Sequence, residues 1–253
     1  MTNEKVLHEH LQFYYVPSKD LNKAELRIER EQLAKKRLNI AFSMASVIRR
    51  FPFVRGIFLS GDLSKGVAHP DSDIDYVIVT EPNRLWVCRS LLILFKKIFL
   101  LNSKKYFCLN YFITAQHLTL SDQNYYTATE IAHLKPLYNF DLFQNYLDAN
   151  QWITQYFPNY RMFAENSDEV IQRQSIVQQI IESIFPNQLT SSLDTYLLNK
   201  MKSIWKKRYA QYDEKLREQI FLSTPGESRA YGGNFEEKIL SLYRQKLAQH
   251  NLS

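Results

Sequence analysis

Apolar positions recur at helical spacing along residues 21–50. Ala24, Leu26, Ile28, Leu33, Leu38, Ile40, Ala41, Met44 and Ile48 are separated by lysines, arginines and other polar residues. That period predicts a helix, stopped by Pro52. Ile57, Phe58 and Leu59 then form a short apolar run, read as a strand that ends at Ser60-Gly61. A second strand is expected to open with Asp73 and Asp75 and to run to Thr80. Glu81-Pro82-Asn83 opens a helix over 84–101, because proline is tolerated at a helix start. Asn102-Ser103 breaks it before a strand over 106–114. Past residue 122 the strand patterns vanish. Helices are expected over 125–134, along the apolar stripe from Leu142 to Phe157, and over 168–185, 193–221 and 236–249. Pro225-Gly226-Glu227-Ser228 and Tyr231-Gly232-Gly233-Asn234 read as a loop before the last helix. The class is therefore α+β, with a strand-containing core over 1–120 and a helical domain over 121–253.

Composition narrows the setting. The chain has 253 residues, 45% of them hydrophobic, enough for a sizeable core. Its net charge of +6 suits an anionic ligand such as a nucleotide. Cys88 and Cys108 lie in apolar stretches without metal-ligand spacing and read as reduced core residues. No signal peptide is evident. The longest apolar run, 91–101, is interrupted by Lys96-Lys97 and is too short to span a bilayer. The expected location is the cytoplasm, with no membrane partner.

The chemistry concentrates between Phe58 and Thr80. Asp73 and Asp75 are two apart, so on a strand both carboxylates share a face while Ile74 points into the core. Two adjacent carboxylates repel unless a cation neutralises them. Hard oxygen ligands of this kind suit Mg²⁺, or Mn²⁺, completed by substrate phosphates. Upstream, Gly61 allows a tight turn, and glycines at both ends of Gly61–Gly66 can point backbone N–H groups at an anion. Ser60, Asp62, Ser64 and Lys65 join that turn as candidate phosphate contacts. An aspartate pair near a turn can equally bond only the local backbone. The glycine turn ahead of the pair favours the functional reading.

The run Ser60-Gly61-Asp62-Leu63-Ser64-Lys65-Gly66 followed by Ser72-Asp73-Ile74-Asp75-Tyr76 resembles the signature of the DNA polymerase β-type nucleotidyltransferase superfamily. It is most similar to small bacterial members near the kanamycin-nucleotidyltransferase-like and minimal nucleotidyltransferase groups. The resemblance covers residues 52–138. It implies a nucleotidyltransferase core with a small mixed β-sheet, preceding a carboxy-terminal helical domain. It also implies two divalent metals on Asp73 and Asp75, and a glycine turn that grips the triphosphate. The implied reaction moves an NMP from an NTP to a hydroxyl acceptor, a small molecule or a protein, with release of pyrophosphate. Two positions depart from the pattern. Asp62 stands where the family has a serine, and Asn110 stands at the position expected for the third acid. An amide can ligate a metal but cannot act as a base. Both departures support an alternative, a degenerate nucleotidyltransferase acting as a nucleotide-binding or antitoxin-like interaction protein.

Three further groups were weighed. Glu130 and His133 share a helix face near the end of the core. Glu130 could replace the third acid, although a solvated face is the favoured reading. Lys200, Lys202, Lys206, Lys207, Arg208, Lys215 and Arg217 interleave with Trp205, Tyr209 and Tyr212. Such a pattern can track single-stranded nucleic acid, but snorkelling over a helical core is favoured. Arg229 could reach a phosphate, without a motif to support it. The acceptor, the nucleotide preference and the oligomeric state have no signature in the sequence.

Overall fold

The computed structural model describes residues 8–10, 13–15, 23–161, 168–230 and 235–249. A small hairpin, β1 (His8–His10) and β2 (Phe13–Tyr15), precedes α1 (Lys23–Ile48). Then come β3 (Val54–Ser60), the short helix α2 (Gly61–Ser64), β4 (Asp75–Thr80), α3 (Leu85–Phe99) and β5 (Cys108–Thr114). From α1 to β5 this is the order the periodicity predicts, except that α2 forms where a turn was expected. The second half contributes α4 (Tyr125–His133), β6 (Lys135–Tyr138), α5 (Phe140–Ala149), α6 (Ile176–Ile184), α7 (Asn187–Arg208), α8 (Glu214–Ile220), β7 (Glu227–Arg229) and α9 (Phe235–Gln249).

The five-stranded sheet has the order β6-β3-β4-β5-β7. It is mixed: β4 and β5 are parallel, and the other neighbours are antiparallel. The α+β class and the small mixed sheet stand. The expectation that strands vanish past residue 122 is corrected by β6 and β7, which form the two edges. Both are only three or four residues long, β6 contains Pro136, and β7 falls inside the Pro-Gly segment read as a loop. Edge strands tolerate such residues, and runs this short leave no alternation to detect.

Alternation in the central strands gives each face its own core. Ile57, Leu59, Tyr76, Ile78 and Phe112 face α1, α3 and α7, with Trp86 and Ile48 among their buried neighbours. Phe58, Val77, Val79, Tyr111 and Ile113 face α4 and α5, against Ile131, Phe143 and Tyr146. The helix expected over 193–221 is broken between α7 and α8, where Asp213 caps α8 by accepting from the Leu216 N–H at 2.8 Å. The aromatic rings interleaved with the basic residues pack inward: Trp205 and Tyr209 both stack on Phe221, at 4.7 and 4.2 Å. The loop expected at 231–234 lies outside the described residues.

Asp194 ties α7 to the core. Its carboxylate accepts from the Trp86 and Val87 N–H groups at 2.7 and 2.9 Å, capping α3 from another helix. Burial pushes its carboxyl upward, against those two hydrogen bonds. Asp194→Ala is expected to lower stability by about 1–3 kcal/mol, since it strips a cap and leaves two buried donors unpaired. Urea titration of the variant against the unmodified protein measures this.

Candidate active site

The register of β3 and β4 builds the site. Ser60, the last residue of β3, pairs across the ladder with Asp75, the first of β4. The glycine turn therefore lies directly beside the acids. Gly61 has φ +71°, a conformation that costs other residues about 1–2 kcal/mol. It must also be bare, because a Cβ there would stand 2.6 Å from Asp75 Oδ2. The turn itself coils into α2, with Gly66 at φ +73° closing it.

Asp73 precedes β4 and does not open it. The loop before it is clamped by Arg37 of α1, a buried side chain that donates to the Pro70 and Ser72 carbonyls at 2.5 and 2.6 Å. The strand argument for a shared face thus fails for Asp73, yet the loop brings both carboxylates to one cavity. Ile74 is fully buried between them, as expected.

That cavity has a volume of about 520 Å³ and is lined by Ser60, Gly61, Asp62, Lys65, Asp73 and Asp75 among others. Ser64 is not in it. Its buried hydroxyl donates to the Gly61 carbonyl at 2.8 Å and shapes the turn. Asp62 is exposed and accepts from the Ser72 hydroxyl at 3.2 Å. Burial pushes the Asp75 carboxyl upward. A hydrogen bond from the Cys108 thiol works against this, and the charges of Asp73, Glu130 and Asp62 add to the rise. The Cys108 thiol is itself pushed up by burial and by Asp75, so it stays protonated and able to donate.

Asn110 belongs to β5, but its side chain lies outside the described residues. Alternation along β5 is interrupted just before it pairs with Val77. Cys108 pairs with Asp75 and Tyr111 with Val77, so three steps along β5 match two along β4. This bulge, opposite Tyr76, brings Tyr111 to the cavity. Nothing in the sequence 108–111 announces it.

Glu130 reaches the cavity, correcting the solvated-face reading. Asn124 caps α4 by accepting from the Thr127 N–H at 3.0 Å, and α4 then turns Glu130 inward and leaves His133 exposed. The Glu130 carboxylate pairs with Lys65 Nζ at 2.7 Å and receives a longer contact from the Ser60 hydroxyl at 3.4 Å. Tyr126 stands nearby, its phenol pushed up to about 12 by burial and by Glu130.

Residues 45–122 match the family model of the nucleotidyltransferase domain. The match supports the nucleotidyltransferase superfamily for about a third of the chain, and with it NMP transfer in general terms. No curated protein and no solved structure matches the chain. The nucleotidyltransferase domain match contains the glycine turn, both aspartates and Asn110. It ends before Glu130, Arg229 and Glu236, which line the same cavity. Arg229 arrives on β7 and is ion-paired with Asp122. Glu236 arrives on α9 and accepts from the Asn124 amide. Sequence reasoning passed over Glu236, since only the return of the chain through β7 brings it there.

The donor set fits a hard divalent cation. Carboxylates outnumber cationic groups in the cavity, and Asp75 is disfavoured as an anion by burial and by its neighbours. Among the described residues no group of three or more His, Cys, Asp or Glu side chains is arranged to hold a metal. Two carboxylates completed by phosphate oxygens and water are the arrangement that Mg²⁺ commonly takes.

Gly61→Ala is expected to displace the Asp75 carboxylate. Calorimetric titration with Mg·ATP should show affinity reduced tenfold or more, about 1.4 kcal/mol. Asp75→Asn tests the electrostatics without metal. Below the ordinary carboxyl value of 3.8 the group is neutral in both folded and unfolded chains. As pH rises through the elevated folded value, the ionised carboxylate increasingly costs stability. With EDTA present, Asp75→Asn should therefore melt higher than the unmodified protein near pH 7. The gap should close as the pH falls toward 3.8, and a gap independent of pH would refute burial of an uncompensated charge.

Proposed function

We propose that the protein is a divalent-metal-dependent nucleotidyltransferase, moving an NMP from an NTP to a hydroxyl acceptor with release of pyrophosphate. The single observation that carries this reading is the convergence of Gly61, Asp73, Asp75 and Glu130 on one cavity within and beside the matched domain. The run from Ser60 to Tyr76 resembles the kanamycin-nucleotidyltransferase-like and minimal branch. The proposed setting is the cytoplasm. Among the described residues no helix is long and apolar enough to cross a membrane.

Asp73 and Asp75 would hold Mg²⁺ or Mn²⁺. When bound, the cation supplies charge stabilisation to the attacking and leaving oxygens of the in-line displacement. Ser60, Gly61 and Lys65 border the acids and are assigned to the triphosphate, whose transfer is chiefly a matter of positioning and electrostatics. Lys65 would exchange Glu130 for phosphate when NTP enters. That exchange frees the Glu130 carboxylate to take the proton of the acceptor hydroxyl, the role an amide at Asn110 cannot fill. Val77, Ile131 and Leu134 line an apolar part of the cavity that suits a nucleobase or the body of an acceptor.

A second reading is binding without turnover. Its support is the Lys65–Glu130 pair at 2.7 Å, which neutralises the turn's lysine, together with the exposed anion of Asp62. Incubation with each labelled NTP, Mg²⁺ or Mn²⁺, and a metabolite and RNA extract separates the two. The enzyme reading expects a labelled product that disappears in the Asp73→Ala/Asp75→Ala double variant. Glu130→Gln should keep Mg·NTP affinity within a few-fold and lower turnover by about 10²–10⁴. Saturable NTP binding with no labelled product under any condition would establish the binder.

A further inference from the structure

The end of α3 and the turn after it hold apolar side chains in water, among lysines. Leu94, Ile98 and Phe99 are 52%, 59% and 68% exposed, and Leu101, just past the helix, is 89% exposed. Leu94 and Ile98 stand one helical turn apart on the same side. The chain then folds back onto that last turn. The Asn102 N–H donates to the Lys96 carbonyl at 3.0 Å, and the Ser103 N–H to the Leu100 carbonyl at 2.8 Å. Leu101 and Asn102 take φ +48° and +60° to do so. A leucine is disfavoured in that region, yet one is displayed there at the tip. The protrusion is anchored from below. Phe99 packs on Phe95 and Phe95 on Phe107, with ring centres 5.0 and 5.8 Å apart. The Ile74 N–H, between the two aspartates, donates to the Lys105 carbonyl at 3.0 Å.

The lysines decide what this surface meets. Lys97 lies three residues past Leu94, on its side of the helix, and Lys104 and Lys105 follow the turn; all three are exposed. Lys105 sits over the Tyr106 ring at 5.6 Å. Burial pushes the half-buried Lys96 ammonium down; among the charges around it Lys104 adds to the fall and Asp73 opposes it, so Lys96 and Lys104 are neighbours. Residues 82–121 contain no Asp or Glu. Among the described residues none of the four lysines forms an ion pair. The result is an unneutralised cationic collar around an aliphatic tip. Nucleic acid would answer the charge but leave Leu94, Ile98 and Leu101 without a partner, because aliphatic chains offer no ring for a base to stack on. An anionic lipid surface answers both, with headgroup phosphates for the lysines and the acyl boundary for the leucines and isoleucine. We propose that the end of α3 and the turn through Lys105 dock the protein on an anionic membrane surface. The expectation of no membrane partner rested on the lack of a spanning segment, which docking from one side does not need. This inference is independent of the chemistry assigned to the cleft.

Flotation of the full chain with lipid vesicles tests it. Binding is expected to phosphatidylcholine vesicles containing phosphatidylserine, falling as salt is raised, and to be weak on phosphatidylcholine alone. Lys104→Glu/Lys105→Glu should weaken it about thirtyfold or more, since each lysine near an anionic surface is worth a factor of about five. Ile98→Ser/Leu101→Ser should weaken it about tenfold or more with the charge unchanged. All four side chains are exposed, so circular dichroism of both variants should match the unmodified protein. Lys206→Glu/Lys207→Glu makes the same change of charge at exposed positions of α7 and should leave binding within a few-fold. A chain that floats with neither vesicle overturns the proposal. So does flotation lost equally in the α7 variant, which would be attraction to net charge alone, or flotation untouched by Ile98→Ser/Leu101→Ser. Capture of single-stranded RNA without flotation would assign the lysines to nucleic acid instead.

Discussion

Asp75 sits where burial and three neighbouring acids oppose its ionisation, and the architecture around it exists to keep it there. The antiparallel pairing of β3 with β4 stops at Ser60 and Asp75, so the carboxylate emerges at the end of the ladder instead of within the core. Gly61 leaves the space that its Oδ2 fills. Arg37 reaches from α1 to hold the preceding loop, and Cys108 donates to the carboxylate from the adjacent strand. Together these contacts fix where the carboxylate stands. Crowded charge gathered at one cavity is a common mark of a functional site.

The cavity also depends on the chain's return. Residues matched to the nucleotidyltransferase domain build its floor, and segments far along the sequence build its wall. β7 pairs with β5 and carries Arg229, and α9 follows with Glu236. Tyr125 of α4 stacks on Tyr243 of α9 with ring centres 4.6 Å apart, fixing that wall to the helix that bears Glu130. The proposed base and the last helix are therefore positioned by one contact surface. An alteration in α9 would be felt at Glu130 without touching the aspartates.

What could be read beforehand follows from the range of each interaction. Helix periods in α1 and α3, the glycine at φ +71° and the pair around Ile74 are local properties, legible in a few residues. Asn110 was placed by the family pattern, and the extra residue that shifts the β4–β5 register has no local signal in the sequence. Glu130 looked solvated because α4 alone shows no partner for it, and its inward turn is set by packing against the sheet. β6 and β7 are too short to signal at all. The α7–α8 break was missed, because the apolar pattern on either side masks the cap that Asp213 provides.

The orientation of α6 has the same origin as the rigidity of the site. β3 must begin as well as end in a defined place, and Arg55 at its start needs acids on two sides. Glu81 meets the guanidinium at 2.7 Å from the end of the β3–β4 ladder, and Glu182 closes it from α6. A helix that turns a carboxylate and a buried glutamine toward the sheet has no apolar stripe left for the core. Ile181 is half-buried, and Ile176, Ile180 and Ile184 are left on the outside. Anchoring β3 through Arg55 thus sets which face of α6 meets the sheet, and Ile176, Ile180 and Ile184 are turned outward.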